Sequence, residues 1–193
     1  MTIILDHISK SYNGRDVLKD FYLEVEDKRI YQIVGPAGCG KTTVLRIFLG
    51  EVKPDEGRVA RMGDYKYPTL QSAYVPQVKV FKEKKSALWH VKKAHRKVST
   101  GRALEELLYF LPEERVNCPI IELSEAEKGF VAIVRALAIP ADFIVLDEPF
   151  VGMDEDQMQK ALAYVLDKQG SRPILVATKK ELPIKDSRVI ELE

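Results

Sequence analysis

A run of eight residues near the start of the chain has the composition and spacing of a phosphate-binding loop. It fits the pattern G-x-x-x-x-G-K-[ST] and consists of Gly35, Pro36, Ala37, Gly38, Cys39, Gly40, Lys41 and Thr42. Glycines allow backbone N–H groups to converge on phosphate oxygens, and a helix N-terminus adds a favourable dipole. In this pattern the lysine reaches the β- and γ-phosphates, and the hydroxyl that follows is a ligand for Mg²⁺. We therefore predict a nucleoside triphosphate site.

Two carboxylates supply the second half of the predicted chemistry. Asp147 and Glu148 follow four apolar residues, 143–146, which are typical of a buried strand. Ligands of open α/β sheets bind beyond the carboxyl ends of the strands. We expect Asp147 to hold Mg²⁺, through water, and Glu148 to act as general base toward the attacking water. The pair distinguishes a hydrolase from a protein that only binds nucleotide.

The elements that position these residues alternate between strands and helices. An apolar strand at 30–34 precedes the glycine loop, and residues 42–49 with Gly50 after them have the pattern of a helix and its stop. Further strands are predicted at 174–177 and 188–192, and further helices at 124–138 and 154–169. The N-terminal part reads as antiparallel strands at 2–8 and 21–25, with a tight turn at Asn13-Gly14. The prediction is an α/β fold with a mostly parallel sheet and an antiparallel N-terminal part.

The middle of the chain differs from this pattern. Residues 78–138 are predicted to form a small helical subdomain inserted into a single domain of 1–193. An apolar stripe at helical spacing comprises Ala103, Leu104, Leu107, Leu108 and Leu111. The first half of the predicted subdomain is rich in cations, namely Lys79, Lys82, Lys84, Lys85, Lys92, Lys93, Arg96 and Lys97. We interpret these cations as a solvated face or a protein-docking rim.

Length and composition exclude several classes of protein. The chain has 193 residues, 30 Lys+Arg against 29 Asp+Glu, and two cysteines. The near-zero net charge argues against a generic binder of nucleic acid or acidic membranes, and two cysteines are too few for a disulfide framework. No run reaches the roughly 18 apolar residues of a membrane span. A secreted mini-protein, an integral membrane protein and a disordered chain are therefore excluded.

The ordered set of motifs resembles the nucleotide-binding subunit of ABC (ATP-binding cassette) transporters over essentially the whole chain. Residues 11–14 resemble the A-loop, 74–77 the Q-loop, 123–127 the signature and 151–154 the D-loop. The resemblance implies that Tyr12 stacks on adenine and that Gln77 contacts Mg²⁺ or the attacking water. It implies a further nucleotide-binding role for Thr43, Ser124 and Asp154, and a catalytic role for the residue at position 179, which is Lys179.

The resemblance also implies partners and a location. Two such subunits would sandwich two ATP molecules with Mg²⁺, head to tail, and drive a separate transmembrane permease from the cytoplasmic face of the membrane. The helical subdomain and Gln77 would form the groove that receives a permease helix. No nucleic acid partner is implied. Residues 35–43 and 148–150 are most similar to importer subunits of the nitrate, sulfonate and taurine type.

Two departures from the family pattern concern turnover. Glu125 and Ala126 stand where the signature has two glycines, and Lys179 stands where the family has a histidine. A carboxylate about 6 Å from a phosphate charge costs on the order of 3 kcal/mol at an effective dielectric of ~20 unless it turns away. Ser124 and Glu127 still fit a helix capping box, which explains them without a phosphate contact. We expect weakened closure on a partner's ATP and slow hydrolysis.

Other functions remain as alternatives. A degenerate cassette could bind ATP as a regulatory or structural partner in a heterodimer, which Glu125 and Lys179 favour and intact Lys41, Asp147 and Glu148 oppose. A DNA-repair cassette would need a long coiled-coil insertion, for which residues 77–124 leave no room. A small-molecule kinase does not account for Tyr12, Gln77 and Asp154 in that order.

Overall fold

The computed structural model describes residues 2–62 and 71–193. The chain divides into two compact units. The first unit comprises Met1–Ser72, Asp142–Glu148 and Ser171–Glu193, and the second comprises Ala73–Ala141 and Pro149–Gly170. The predicted single domain with a helical insertion at 78–138 stays a prediction.

The chain begins with strands, has four α-helices in succession between β5 and β6, and alternates between strand and helix from β6 to β7. The elements are β1 (Thr2–Tyr12), β2 (Arg15–Glu26), β3 (Ile30–Val34), α1 (Lys41–Leu49), β4 (Glu56–Met62), β5 (Ser72–Val75), α2 (Ala87–Lys92), α3 (Thr100–Leu108), α4 (Glu113–Asn117), α5 (Glu125–Leu137), β6 (Phe143–Asp147), α6 (Glu155–Asp167), β7 (Ile174–Thr178) and β8 (Arg188–Glu191). The predicted strand at 30–34 and the helices near 124–138 and 154–169 are confirmed within their caps.

The first unit begins with an antiparallel sheet of order β2-β1-β4. Asn13 and Gly14 both have positive φ, 52° and 78°, so the tight turn between β1 and β2 is confirmed. Both strands are longer than predicted. The β1–β2 register shifts between Leu5 and Ile8 and again near Lys10, so the apolar alternation breaks while the pairing continues. The broken alternation hid the ends of β1 and β2 from the sequence pattern. Strand β4 was also not predicted.

A parallel sheet positions the phosphate loop. In the first unit its order is β6-β7-β3-β8. All five residues of β6 and all five of β7 are buried, which explains their uninterrupted apolar runs. Val34 pairs with Thr178, and Asp147 pairs with Ala177. The carboxyl ends of β3, β7 and β6 therefore lie side by side.

Helix α1 follows the loop and packs into the core of the first unit. Its buried residues include Val44 and Phe48, and the Phe48 ring meets the Phe143 ring edge-on at 5.2 Å. Gly50 ends the helix in the left-handed conformation, as predicted, with φ 78°.

The second unit is mainly helical. Phe110 stacks on Phe130 with ring centroids 4.6 Å apart, and the Tyr164 hydroxyl donates to Glu106 at 2.8 Å. The predicted stripe on α3 is only partly correct, because Ala103, Leu107 and Leu111 are buried whereas Leu108 is 45% exposed. Among residues 2–62 and 71–193, no helix is long and apolar enough to cross a membrane.

Candidate functional site

Glycine is required at two positions of the phosphate loop. A Cβ on Gly35 would lie 2.3 Å from the carbonyl oxygen of Leu192 and 2.7 Å from the Cys39 sulfur. Gly40 has φ 107°, and a Cβ there would meet the Val17 carbonyl oxygen at 2.9 Å. Neither site accepts a side chain without movement of the backbone. The loop is thus packed closely against Leu192, which follows β8, and against Val17 of strand β2.

The Lys41 side chain lies inside this loop. It is only 6% exposed and donates hydrogen bonds to the carbonyl oxygens of Gly35, at 2.7 Å, and Pro36, at 2.8 Å. Its Nζ is also 3.4 Å from Oε1 of Glu148. A buried ammonium with these partners is a fixed positive charge at the place where the motif requires one.

Thr42 and Asp147 form the candidate metal site. The Thr42 hydroxyl donates to Oδ2 of Asp147 at 2.8 Å, although the two residues are 105 positions apart. Oδ1 of Asp147 is buried and, among the described residues, has no hydrogen-bond partner. Burial raises the pKa of Asp147, and the hydrogen bond from Thr42 opposes that rise. An orphaned carboxylate oxygen beside a hydroxyl fits Mg²⁺, which prefers oxygen ligands and takes only one or two carboxylates from the protein.

Within the described ranges there is no cluster of three or more His, Cys, Asp or Glu able to hold a metal by itself. A Mg²⁺ ion at Thr42 and Asp147 would thus take its other ligands from water and phosphate oxygens.

Glu148 has an uncommon backbone conformation. Its φ is 46°, in the left-handed region that non-glycine residues seldom adopt, and its N–H donates to the carbonyl oxygen of Ala177 at 2.9 Å. The residue is only 8% exposed. The backbone directs the carboxylate toward Lys41 and the loop. The role of Glu148 as general base stays a prediction.

The end of β7 does not place Lys179 in this group. Thr178 donates its hydroxyl to the carbonyl oxygen of Lys180 at 2.8 Å, and the Gly35 N–H donates to the Thr178 carbonyl at 3.2 Å. Lys179 is exposed and makes no hydrogen bond or ion pair with any described residue. Its catalytic role stays a prediction.

Tyr12 stands at the end of β1 and is 43% exposed. The Lys10 ammonium lies 5.3 Å from the centroid of its ring and 2.5 Å from Asp55. Asp55 also accepts hydrogen bonds from the N–H and the hydroxyl of Ser11, at 2.7 and 3.0 Å. The contacts with Lys10 and with Ser11 lower the pKa of Asp55 to about 2. We call this set the Asp55 clamp.

Sequence reasoning missed Asp55 because it lies 44 residues from Ser11 and belongs to no motif. The structure reveals the contact through the pairing of β1 with β4, in which Ser9 faces Glu56 and thereby brings Asp55 beside Ser11.

Gln77, Ser124 and Asp154, the remaining predicted site residues, belong to the second unit. Gln77 is exposed and lines a groove of about 510 Å³ with Lys79, Ile121, Glu125 and Val151. Ser124 and Asp154 cap α5 and α6. Each side chain accepts the N–H of the residue three positions on, and that residue's side chain reaches back to the cap. The capping box at Ser124 is confirmed, and the one at Asp154 was missed.

The Glu125 carboxylate is turned toward cations. Oε1 of Glu125 lies 2.9 Å from Nζ of Lys128, and this contact, together with the charge of Lys79, lowers the pKa of Glu125. A Cβ on Gly152 would be 3.1 Å from that of Glu125. The repulsion expected from a carboxylate at this position of the signature is therefore reduced by a local counter-charge.

A second ion pair fixes the start of the signature helix α5. Arg115 donates two hydrogen bonds to the Glu127 carboxylate, at 2.9 and 2.7 Å, and a third to the Glu122 carbonyl at 2.8 Å. Glu127 also accepts the Ser124 N–H at 2.7 Å. Arg115 lies 12 residues before Glu127, on another helix, and the sequence contained no signal for this pairing.

Comparison with known proteins places this geometry in a family. The family model described as "ABC transporter" matches residues 18–151. A probable ABC transporter ATP-binding protein of Azorhizobium caulinodans is 35% identical over 164 residues, covering 76% of this chain and 57% of the relative. The zinc import ATP-binding protein ZnuC of Pseudomonas fluorescens is 30% identical over 179 residues, covering 91% of this chain and 67% of the relative. The chain thus spans about three fifths to two thirds of these proteins.

Comparison of the fold with solved structures also finds ATP-binding cassettes. The dimeric structure of a post-hydrolysis state of the ATP-binding cassette MJ0796, bound to ADP and Pi, superposes with a TM-score of 0.79 at 24% identity. The match covers 100% of this chain and 94% of that one. The predicted fold class, a P-loop NTPase fold with a parallel and an antiparallel sheet, is confirmed. The chain belongs to the ABC transporter family.

Proposed function

We propose that this chain is the ATP-binding and ATP-hydrolysing subunit of an ABC transporter that works with a separate membrane permease. The observation that carries the proposal is the convergence of Lys41 and Thr42, at the start of α1, with Asp147 and Glu148, at the carboxyl end of β6. Membership of the family supports ATP as the nucleotide.

In the proposed mechanism each residue of the first unit has one task. Backbone N–H groups of residues 37–42 bind the phosphate oxygens of ATP, and Lys41 stabilises the charge on the β- and γ-phosphates. Tyr12 stacks on adenine. Thr42 and Asp147 would hold Mg²⁺, which neutralises phosphate charge when bound. The Glu148 carboxylate accepts a proton from the water that attacks the γ-phosphate.

Residues of the second unit have proposed roles toward the water and a partner's nucleotide. Gln77 orients the attacking water or binds the metal, and Ser124 and Asp154 contact nucleotide across a dimer. The dimer in the MJ0796 structure supports an assembly of two cassettes. The name of ZnuC, a zinc import ATP-binding protein, supports import as the direction of transport. A position at the inner face of the cell membrane is part of the same proposal.

We infer slow turnover from the substitution at one position. Lysine at 179 supplies charge, but it has neither the shape nor the proton exchange of an imidazole near neutral pH. Lys179 is exposed and unpaired among the described residues, so none of these residues pre-positions it. A Lys179→His variant is expected to hydrolyse ATP faster.

The test compares ATP binding and hydrolysis in three purified proteins. The native chain, Glu148→Gln and the control Glu105→Gln, which changes an exposed residue of α3, are assayed for phosphate release and for ATP affinity. We expect Glu148→Gln to bind ATP normally and to lose at least about a hundredfold in rate, while the control is unchanged. Equal rates in all three would refute the role of Glu148. ATP binding with no hydrolysis by the native chain would indicate the degenerate-cassette alternative.

A further inference from the structure

Five exposed lysines of the second unit form one surface, which we call the lysine face. It consists of Lys82, Lys84, Lys85, Lys92 and Lys93. In the part of the chain that the structure describes, none of the five has a carboxylate within ion-pair distance. Elsewhere in the same unit, Lys128 and Lys168 do have such partners. No carboxylate of the described residues therefore neutralises the lysine face through an ion pair.

Two of these lysines lie close to the ring of Trp89, the single tryptophan of the sequence. The ammonium groups of Lys82 and Lys85 lie 5.3 and 5.8 Å from the ring centroid of Trp89. Lys92 and Lys93 follow Trp89 by three and four residues on α2, which puts them on the same side of the helix. The turn that carries Lys82 is held to α2, because Nε2 of His90 lies 3.1 Å from the Lys82 carbonyl oxygen.

The distribution of charge along the chain is uneven. Residues 79–97 contain eight Lys or Arg and one acid, Glu83, and so carry a net charge of +7. Because the whole chain carries +1, the remaining residues carry −6. A near-neutral total therefore conceals one strongly basic surface. Such a surface attracts anions over about one Debye length, roughly 10 Å at 0.1 M salt.

We propose that the lysine face binds the anionic headgroups of a phospholipid membrane. Lysines are compact charges on flexible stems, which suits a diffuse layer of charge better than the fixed forks of arginine, and residues 79–97 have only Arg96. Trp89 is half-buried, and tryptophan favours the headgroup level of a bilayer. Val80, which is 74% exposed, lies just before the face and provides an apolar side chain for shallow insertion.

A nucleic acid fits this surface less well. Single-stranded nucleic acids need aromatic rings on which bases can stack. Trp89 is half-buried and already has two ammonium groups within 6 Å of its ring centroid. Lipid binding requires neither ATP nor its hydrolysis, so the proposal stands apart from the proposed transport function.

The test uses co-sedimentation of the full chain, without nucleotide, with vesicles. Phosphatidylcholine vesicles with about 30% phosphatidylglycerol are compared with pure phosphatidylcholine. We expect binding only to the anionic vesicles, with at least a tenfold loss of affinity at about 0.5 M salt. The variant Lys82→Glu/Lys85→Glu/Lys92→Glu/Lys93→Glu should lose binding at least tenfold. The control Lys19→Glu/Lys53→Glu/Lys180→Glu/Lys185→Glu has the same change of charge at exposed sites in the first unit and should lose much less.

Trp89 gives an independent readout in the unaltered protein. Because Trp89 is the only tryptophan in the sequence, the tryptophan fluorescence reports on this site alone. We expect the emission to shift to the blue on anionic vesicles and to be quenched by brominated lipid. This measurement keeps the test decisive even where the fourfold variant does not fold. Equal binding to neutral vesicles, equal loss in both fourfold variants, an unchanged Trp89 spectrum or complete displacement of the vesicles by RNA at low concentration would each overturn the proposal.

Discussion

The ion pair between Arg115 and Glu127 offers the most direct test of how the signature helix is held. Glu127 accepts two hydrogen bonds from Arg115 and one from the Ser124 N–H, so its carboxylate joins α4 to the start of α5. These contacts, with that from Arg115 the largest, lower the pKa of Glu127 to about 2 from a usual value of 4.5.

The pKa shift sets the size of the effect. A difference of this size corresponds to about 3 kcal/mol if solvent did not screen the pair. Both side chains are partly exposed, 31% for Arg115 and 19% for Glu127, so we expect about 1–2 kcal/mol. Because the folded pKa is depressed, this stability is present above about pH 4.5 and is lost as the pH falls toward 2.

The perturbation is Glu127→Gln, which keeps an acceptor for the Ser124 N–H but removes the charge. Urea denaturation at pH 7 should show a free energy of unfolding about 1–2 kcal/mol below that of the native chain. The control Glu114→Gln, at an exposed residue of α4, should change it by less than about 0.5 kcal/mol. The difference between native and Glu127→Gln should shrink steadily below pH 4.5.

A double-mutant cycle with Arg115→Met separates the pair from the cap. The coupling between Arg115 and Glu127 should account for most of the loss at pH 7. A coupling near zero, or a difference between native and Glu127→Gln that is the same at pH 7 and pH 3.5, would refute the reasoning. In that case Glu127 would stabilise the helix by capping alone.

Three further predictions concern backbone space, nucleotide affinity and dimer closure. Gly35→Ala should lower the free energy of unfolding by about 3 kcal/mol, because the new Cβ would meet the backbone carbonyl just after β8. The control Gly101→Ala, in open space on α3, should be neutral or stabilising, and equal thermal midpoints for the two variants would contradict this prediction. Asp55→Asn weakens the Asp55 clamp beside Tyr12. Calorimetry should show the affinity for ATP falling about threefold to tenfold while the affinity for tripolyphosphate is unchanged, and equal losses for both ligands would argue against a role toward the adenine base. Lys128→Ala frees the Glu125 carboxylate and should weaken ATP-driven dimerisation about tenfold, as measured by ultracentrifugation. Adding Glu125→Gln should restore dimerisation, and no recovery would show that the charge of Glu125 is not the cause of the loss.

Much of the candidate site was accessible from local sequence because its parts are contiguous. A phosphate cradle needs glycines and a lysine at set spacings within one loop, and the apolar run that ends in Asp147 and Glu148 marks a buried parallel strand. The caps of α5 are equally local, since Ser124 and Glu127 are one helical turn apart. Such features depend on a few neighbouring residues and not on how distant segments meet.

The strand lengths of the N-terminal sheet were less accessible. Bulges in β1 and β2 shift the register, so the apolar residues stop alternating before the strands end. The conformation of Glu148 at φ 46° also leaves no trace in its own sequence neighbourhood, because it depends on the hydrogen bond to Ala177 of another strand.

By itself, the sequence determined the class of fold, the phosphate loop and the pair of carboxylates, since each is written in residues that are neighbours along the chain. Only the tertiary structure decided that Thr42 donates a hydrogen bond to one oxygen of Asp147 and that the other oxygen has no partner among the described residues. It also decided that Glu125 turns to Lys128 and that Lys82 and Lys85, from the segment before α2, lie close to the Trp89 ring. These facts depend on strand register, loop paths and side-chain rotamers, which are settled by packing between distant segments and not by local pattern.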